Sequence, residues 1–238
     1  MELLGRAWLL MALAALSAGC MVPSPLRNPR SLDAGAGAVR SGVGAHYAQA
    51  DAVALSRTSR VGNYALEGSL IQSTGLGRGL EWDWGGRVLV PFDLGLLGAL
   101  KWQWLGQGRP RGIASSLLLE GSTVAVFSGN DISAGSLWAI PIGKLDLVLG
   151  GKYGWRMGHP DDPENPEYNL TTNLLFWPRG DFWEIQLALQ AQPGPGTRPY
   201  AGLSIRRDRV PAVAGFDFGP QFRLEFGLEM AVKKGPEE

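Results

Sequence analysis

Cysteine, histidine and long apolar runs are scarce in this sequence, and each shortage removes a class of protein. One cysteine in 238 residues forbids an intrachain disulfide and any zinc site built on cysteine pairs. Only two histidines, His46 and His159, are present to take part in proton transfer. Charged residues make up 18%, below the roughly 25% of an average soluble domain. The 22 Lys and Arg balance 22 Asp and Glu, which argues against a basic nucleic-acid binder and against an acidic disordered tail. No apolar run reaches the ~20 residues of a membrane-spanning helix. From about residue 36 onward no segment carries a helical stripe.

Glycine and tryptophan are plentiful instead. The 34 glycines are about twice the usual share of roughly 7%, and they follow no collagen-like period. Nine tryptophans and 45% hydrophobic content argue against disorder. This is the composition of an all-β chain with many turns.

The N-terminus reads as an address. Residues 9–16, LLMALAAL, follow Arg6 and precede Ser17, Ala18 and Gly19, the layout of a secretory signal. The cysteine comes next. Leu16-Ser17-Ala18-Gly19-Cys20 resembles the lipobox of bacterial lipoproteins, departing at Ser17, where that family usually has an aliphatic residue. The resemblance implies cleavage before Cys20, a diacylglycerol on its thiol and a further fatty acyl chain such as palmitate on its new amine. Two or three acyl chains anchor stably. Met21 in place of Asp implies the bacterial outer membrane, with outer-membrane lipid and the lipoprotein export and barrel-insertion machinery as partners. The expected organisation is a signal peptide over 1–19, a lipidated cysteine with a Pro-rich tether over 20–35, and a β-barrel over 36–238. Pro23, Pro25 and Pro29 suit an extended tether.

The remainder alternates with period two. Eleven candidate strands fall near 36–48, 62–73, 79–90, 93–105, 112–127, 134–142, 144–157, 167–177, 181–191, 199–207 and 216–232. The weakest is 134–142, which contains Pro141. Short turns make neighbours antiparallel, so the predicted fold is an all-β, up-and-down antiparallel transmembrane-type β-barrel of 10–12 strands. Longer connections are expected at 49–61, 128–133 and 158–166, all at one end.

Alternation leaves open which face is enclosed. One face carries Glu81, Asp83, Arg87, Lys101, Asp146, Lys152, Arg156, Glu184, Arg223, Glu225 and Glu229, interspersed with Gly and Ala. Both signs of charge among small residues suit a narrow lumen in which ions pair. The opposite faces, such as Leu94, Leu96, Leu100, Trp102 and Trp104, carry no charge, as a lipid-facing surface requires. Counting turns through eleven strands places Trp82, Trp84, Trp102, Trp104, Trp177 and Trp183 at one rim, the pattern of an interfacial aromatic belt. Trp138 joins them, and Trp155 falls at the other rim.

Candidate chemistry is sparse. Ser41 and His46 have opposite parity on one strand, so no nucleophile–base pair forms there. His159, Asp161, Asp162, Glu164 and Glu167 form an acidic loop with three prolines. Its carboxylates suggest calcium binding or water activation, without an EF-hand spacing; a solvated loop is the plainer reading. The Gly75, Gly77, Gly79 stretch precedes a strand, not a helix, and does not match a phosphate cradle. No catalytic residue, metal, cofactor or nucleic-acid partner is assigned, and the chain is not expected to be an enzyme. The expected function is a lipid-anchored outer-membrane barrel with a charged lumen, structural, adhesive or a small-solute pore. A periplasmic-side soluble barrel lipoprotein that binds an apolar ligand in its interior is the alternative. A membrane-embedded hydrolase using His159 is a third possibility.

Overall fold

Alternation sustained over a dozen residues gives each segment two unlike faces, and ten such segments close on one another. The computed structural model describes residues 24–54, 57–90, 93–109, 111–124, 129–157, 178–192, 196–209 and 216–232. The strands are β1 (Gly37–Ala54), β2 (Arg57–Gly77), β3 (Leu80–Val90), β4 (Asp93–Leu105), β5 (Ala114–Val124), β6 (Gly129–Ile142), β7 (Leu145–Met157), β8 (Pro178–Ala191), β9 (Thr197–Arg209) and β10 (Phe216–Val232). Each pairs antiparallel with its sequence neighbours. β1 also pairs with β10, from Gly37 opposite Val232 to Ala52 opposite Phe216, so the sheet closes into a barrel without edges.

Ten strands close the barrel, within the 10–12 expected and one fewer than the eleven candidate segments. β7 pairs directly with β8, from Leu145 opposite Ala191 to Met157 opposite Pro178. No strand stands between them, and the expected 167–177 strand lies outside the described residues. The weak 134–142 segment is a full member of β6. Pro141 is tolerated because it sits on the second-to-last rung, opposite Asp146, where its missing N–H interrupts little of the ladder. The expected loop at 49–61 is instead a continuation of the β1–β2 ladder, which runs to Ala54 opposite Arg57.

The glycine stretch at 75–79 makes the β2–β3 turn. Gly77, Arg78 and Gly79 all have positive φ, at 94°, 52° and 76°, a conformation that glycine adopts at no steric cost. This turn lies at the same end as the starts of β1, β5, β7 and β9, hereafter the near end. The end of β7 and the start of β8 lie at the opposite, far end.

The side chains sort by face as the pleat requires. Trp102, Phe226 and Leu187 are about half exposed on the outer surface, whereas Lys101, Glu225 and Arg223 are fully buried inside. The alternative with apolar side chains lining an interior cavity is therefore corrected: the apolar faces point out. The Pro-rich segment is corrected as well. Residues 24–33 do not trail outside the barrel as a tether. They run up its middle as an extended strap, with Ser24, Pro25, Leu26, Arg27, Pro29 and Arg30 all buried.

Interior glycines make room for large neighbours. A Cβ at Gly227 would lie 2.4 Å from the Tyr200 hydroxyl and 2.2 Å from Ser41 O, while nothing lies within 4 Å of one at Gly151. Overpacking of this kind costs about 1–3 kcal/mol. Gly227→Leu is expected to lower the unfolding free energy in detergent by about that amount or more, and Gly151→Leu to leave it nearly unchanged. Urea titration of both variants checks the pair.

Candidate functional site

An extended chain inside a barrel has backbone donors and acceptors with no ladder to join, and each needs a partner. The wall supplies them with acidic, basic and neutral polar side chains. Ser24 N donates to Glu184 Oε2 (3.1 Å), Leu26 N to Glu225 Oε2 (2.8 Å) and Leu32 N to Glu81 Oε2 (2.7 Å). In return Lys101 Nζ donates to Asn28 O (2.7 Å) and Arg30 O (3.1 Å), Arg40 Nη1 to Leu26 O (2.5 Å), and Ser116 Oγ to Pro29 O. Pro25 and Pro29 have no N–H to satisfy, so proline shortens the list of donors that this interior must match. Leu26 packs among Val148, Ala188 and Tyr200.

Two guanidiniums lock the strap. Arg27 lies between β3 and β5, with Nη1 2.9 Å from Asp83 Oδ2, and Nε and Nη2 3.1 and 3.0 Å from Glu120 Oε2. Glu120 is shared with Lys152, whose Nζ is 2.9 Å from Oε1. Arg30 grips Asp146 with both ends of its fork, Nε to Oδ2 at 2.7 Å and Nη2 to Oδ1 at 3.0 Å. It also donates to Arg109 O (3.1 Å) and Gly112 O (2.8 Å) in the β4–β5 turn. Bidentate, charge-assisted contacts of this kind are the strongest a side chain makes. At the near rim Gly35 N donates to Gly75 O and Gly75 N to Ala36 O, at 2.8 and 2.9 Å.

Nearer the far end, the wall charges pair among themselves. Arg206 binds Asp208 on its own strand and Asp131 on β6, at 2.6 and 2.7 Å, and its guanidinium lies 3.6 Å from the centre of the Phe182 ring. Arg223 binds Glu67 and its strand-mate Glu225, at 3.0 and 3.1 Å. His46 Nε2 is hydrogen-bonded to Glu67. With that bond and its burial, His46 belongs to the ion network. The acidic loop with His159 lies outside the described residues. Among the described residues, no three His, Cys, Asp or Glu converge to hold a metal ion.

Of the lumen candidates, Glu81, Asp83, Arg87, Lys101, Asp146, Glu184, Arg223, Glu225 and Glu229 are buried inside the barrel, and Lys152 reaches Glu120 there. Arg156 stands in β7, opposite Asp131. Trp82, Trp84, Trp102 and Trp104 project outward near one end, and Trp138 joins Trp104 there in an edge-to-face contact at 5.9 Å. Trp183 is corrected. It stands opposite Tyr153, toward the far end with Trp155. The physical reason is parity: β8 pairs directly and antiparallel with β7, so it runs the other way from the direction that eleven strands would give it. Trp177 lies outside the described residues. Sequence reasoning missed Arg27, Arg30, Glu120, Arg206 and Asp208. For the two arginines a signal existed, basic residues between prolines immediately before a barrel rich in inward carboxylates.

The site thus belongs to a class: a closed β-barrel, apolar outside and ionic inside, occupied by a strap of its own chain. No protein-family model matches the sequence, and no curated protein matches it. Among solved structures the chain is similar to the crystal structure of an outer membrane channel from Pseudomonas putida F1. The identity is 13%, the TM-score 0.43, and the match covers 88% of this chain and 100% of that one. At that distance no function is carried over.

Arg27→Ala leaves Asp83 buried without its cation, whereas Glu120 keeps Lys152. Removing one partner of a buried pair costs about 3–5 kcal/mol. The expected outcome is a loss of that order in urea unfolding, partly recovered when Asp83→Asn is added in the same chain.

Proposed function

We propose that this chain is a lipid-anchored outer-membrane β-barrel, closed while its strap is seated and serving as a small-solute pore when the strap is not. The observation that carries the reading is the charge pattern of the outer surface. The exposed charged residues among the described ones are Asp33, Arg78, Arg109, Arg111, Lys144 and Arg207. All lie at turns or close to strand ends. Between them runs a belt of Leu, Val, Ile, Phe and Trp side chains. The shortest strands, β3 and β5, have 11 residues each, and a tilted strand needs about 9–11 to cross a bilayer. An apolar belt of this extent has no use in water.

The interior supports a closed resting state. Among the described residues, small cavities lie between strap and wall beside Asn28 and Lys101 and beside Leu118 and Glu184, each about 10 Å³. That is room for about one water molecule in each. Outer-membrane lipid is the partner of the outer face. Insertion of the barrel and acylation at Cys20 call for the barrel-insertion and lipoprotein export machineries.

Two measurements test the reading. Cys20→Ser, which has no site for a thioether-linked lipid, is expected to stay in the membrane fraction after alkaline carbonate washing and to need detergent for extraction. A variant that dissolves in buffer would sink the proposal. Leu187→Arg, half-way along β8 on the outer face, is expected to cost about 2–4 kcal/mol in lipid vesicles, measured by urea unfolding, as a basic residue at the bilayer midplane does.

A further inference from the structure

Among the described residues the charges that the barrel wall turns inward do not balance. Among the described residues, ten carboxylates and seven basic side chains project into the lumen from the strands. The strap supplies Arg27 and Arg30, which offset two of the three unmatched negative charges. Its polar contacts come from seven strands, through Arg40 of β1, Glu81 of β3, Lys101 of β4, Glu120 of β5, Asp146 of β7, Glu184 of β8 and Glu225 of β10. A segment that touches strands on every side lies near the axis. The wall charges nearer the far end hug the sheet: Arg206 pairs with Asp208 on its own strand, and Arg223 with Glu67 two strands away. The only reach across several strands among these pairs is from Arg206 to Asp131.

The strap is also independent of the sheet. Inside the lumen it is held through side chains, and the backbone bonds to the rim at Gly75 are made just downstream of it, by Gly35 and Ala36. The barrel closes through β1, β2 and β10 without it. Once the chain withdraws and the lumen fills with water, mobile ions screen the charges it leaves behind.

The lipid anchor gives a reason to withdraw. Leu26 N is bonded to Glu225, seven residues along β10 from Val232 at the near rim. With a strand tilt of ~40°, that is roughly 18 Å along the axis, and Ser24 lies deeper still. Cys20 stands four residues upstream of Ser24, a reach of at most about 14 Å. A Cys20 whose acyl chains sit in the leaflet at the near rim cannot coexist with a fully seated strap.

We propose that residues 24–33 are a displaceable cationic plug, drawn out by the anchor at Cys20, and that the emptied lumen is a cation-selective path whose Glu120, Asp83 and Asp146 sites take guanidinium-type cations. The proposal rests on the membrane-spanning reading above. Rings of carboxylates select cations in this way, and guanidinium is the group for which the Arg27 and Arg30 clamps are already shaped.

The test is conductance of the purified full chain in planar lipid bilayers. Cys20→Ser is expected to insert and stay closed. The acylated chain is expected to open. Adding Arg27→Ala and Arg30→Ala to Cys20→Ser is expected to raise open time roughly tenfold or more without any lipid. Gly75→Val, whose side chain would collide with Asp33 O, is the second route to an unseated strap with every lumen charge retained. The open state is expected to reverse on the cation side of zero in a KCl gradient. Guanidinium is expected to reduce K⁺ current at lower concentration than tetramethylammonium. Strap variants that insert and remain closed overturn the plug. Cys20→Ser conducting as well as the acylated chain overturns the role of the anchor. Open channels without cation preference overturn the assigned sites. Failure of every variant to insert is instead a failure of the membrane-spanning reading.

Discussion

Arg27 and Arg30 hold a position on which the rest of the interior depends, because the inward carboxylates Asp83, Glu120 and Asp146 are paired through them. Buried charge is tolerated only when it is paired and its remaining lone pairs are bonded. Glu120 meets both conditions, between Arg27 and Lys152. Asp146 meets them through the fork of Arg30. Both depend on residues that come before the first strand. The lumen's electrostatics are therefore finished by a segment outside the sheet, which makes the strap a part of the folded body.

The same charges explain the outer surface. Period-two alternation sends every second side chain inward, so a strand with Glu81 and Asp83 inside must show Leu80, Trp82 and Trp84 outside. Enclosing the ions and exposing the apolar belt are one event. A slip of one residue in register would reverse both faces at once. The ladder resists this by closing on itself: β1 is held on one side by β2 and on the other by β10 across nearly its whole length.

This coupling is why the fold was legible in the sequence. The parity of Leu224, Phe226 and Leu228 against Arg223, Glu225 and Glu229 is local, and it survives any error in turns or strand number. Strand count is different. It rests on weighing segments one at a time, and Pro141 made 134–142 look weak because local propensity does not show that Pro141 lies on a penultimate rung. Trp183 then inherited the error, since which rim it occupies depends on how many strands precede it. The strap was harder still. Prolines at 23, 25 and 29 announce an extended chain and nothing about where it lies. Its location is decided by carboxylates up to 201 residues away, as in the contact of Asn28 with Glu229.

Barrel size gives the last reason for a strap. Eight strands leave an interior that side chains alone can fill, and diameter grows with strand number. Ten strands leave a surplus along the axis. An α-helix with its side chains is about 10–12 Å across, whereas an extended chain is narrower and its substituents point to all sides. Proline keeps the strap extended, removes donors and prevents it from joining the ladder as an additional strand. Glycines at 42 and 227 give back the space that Tyr200 and Glu225 need beside it. A strap of Pro, Arg and Leu is thus matched to a ten-stranded, acid-lined barrel in width, in hydrogen bonding and in charge. The match in charge is the one of the three that a mobile cation reproduces.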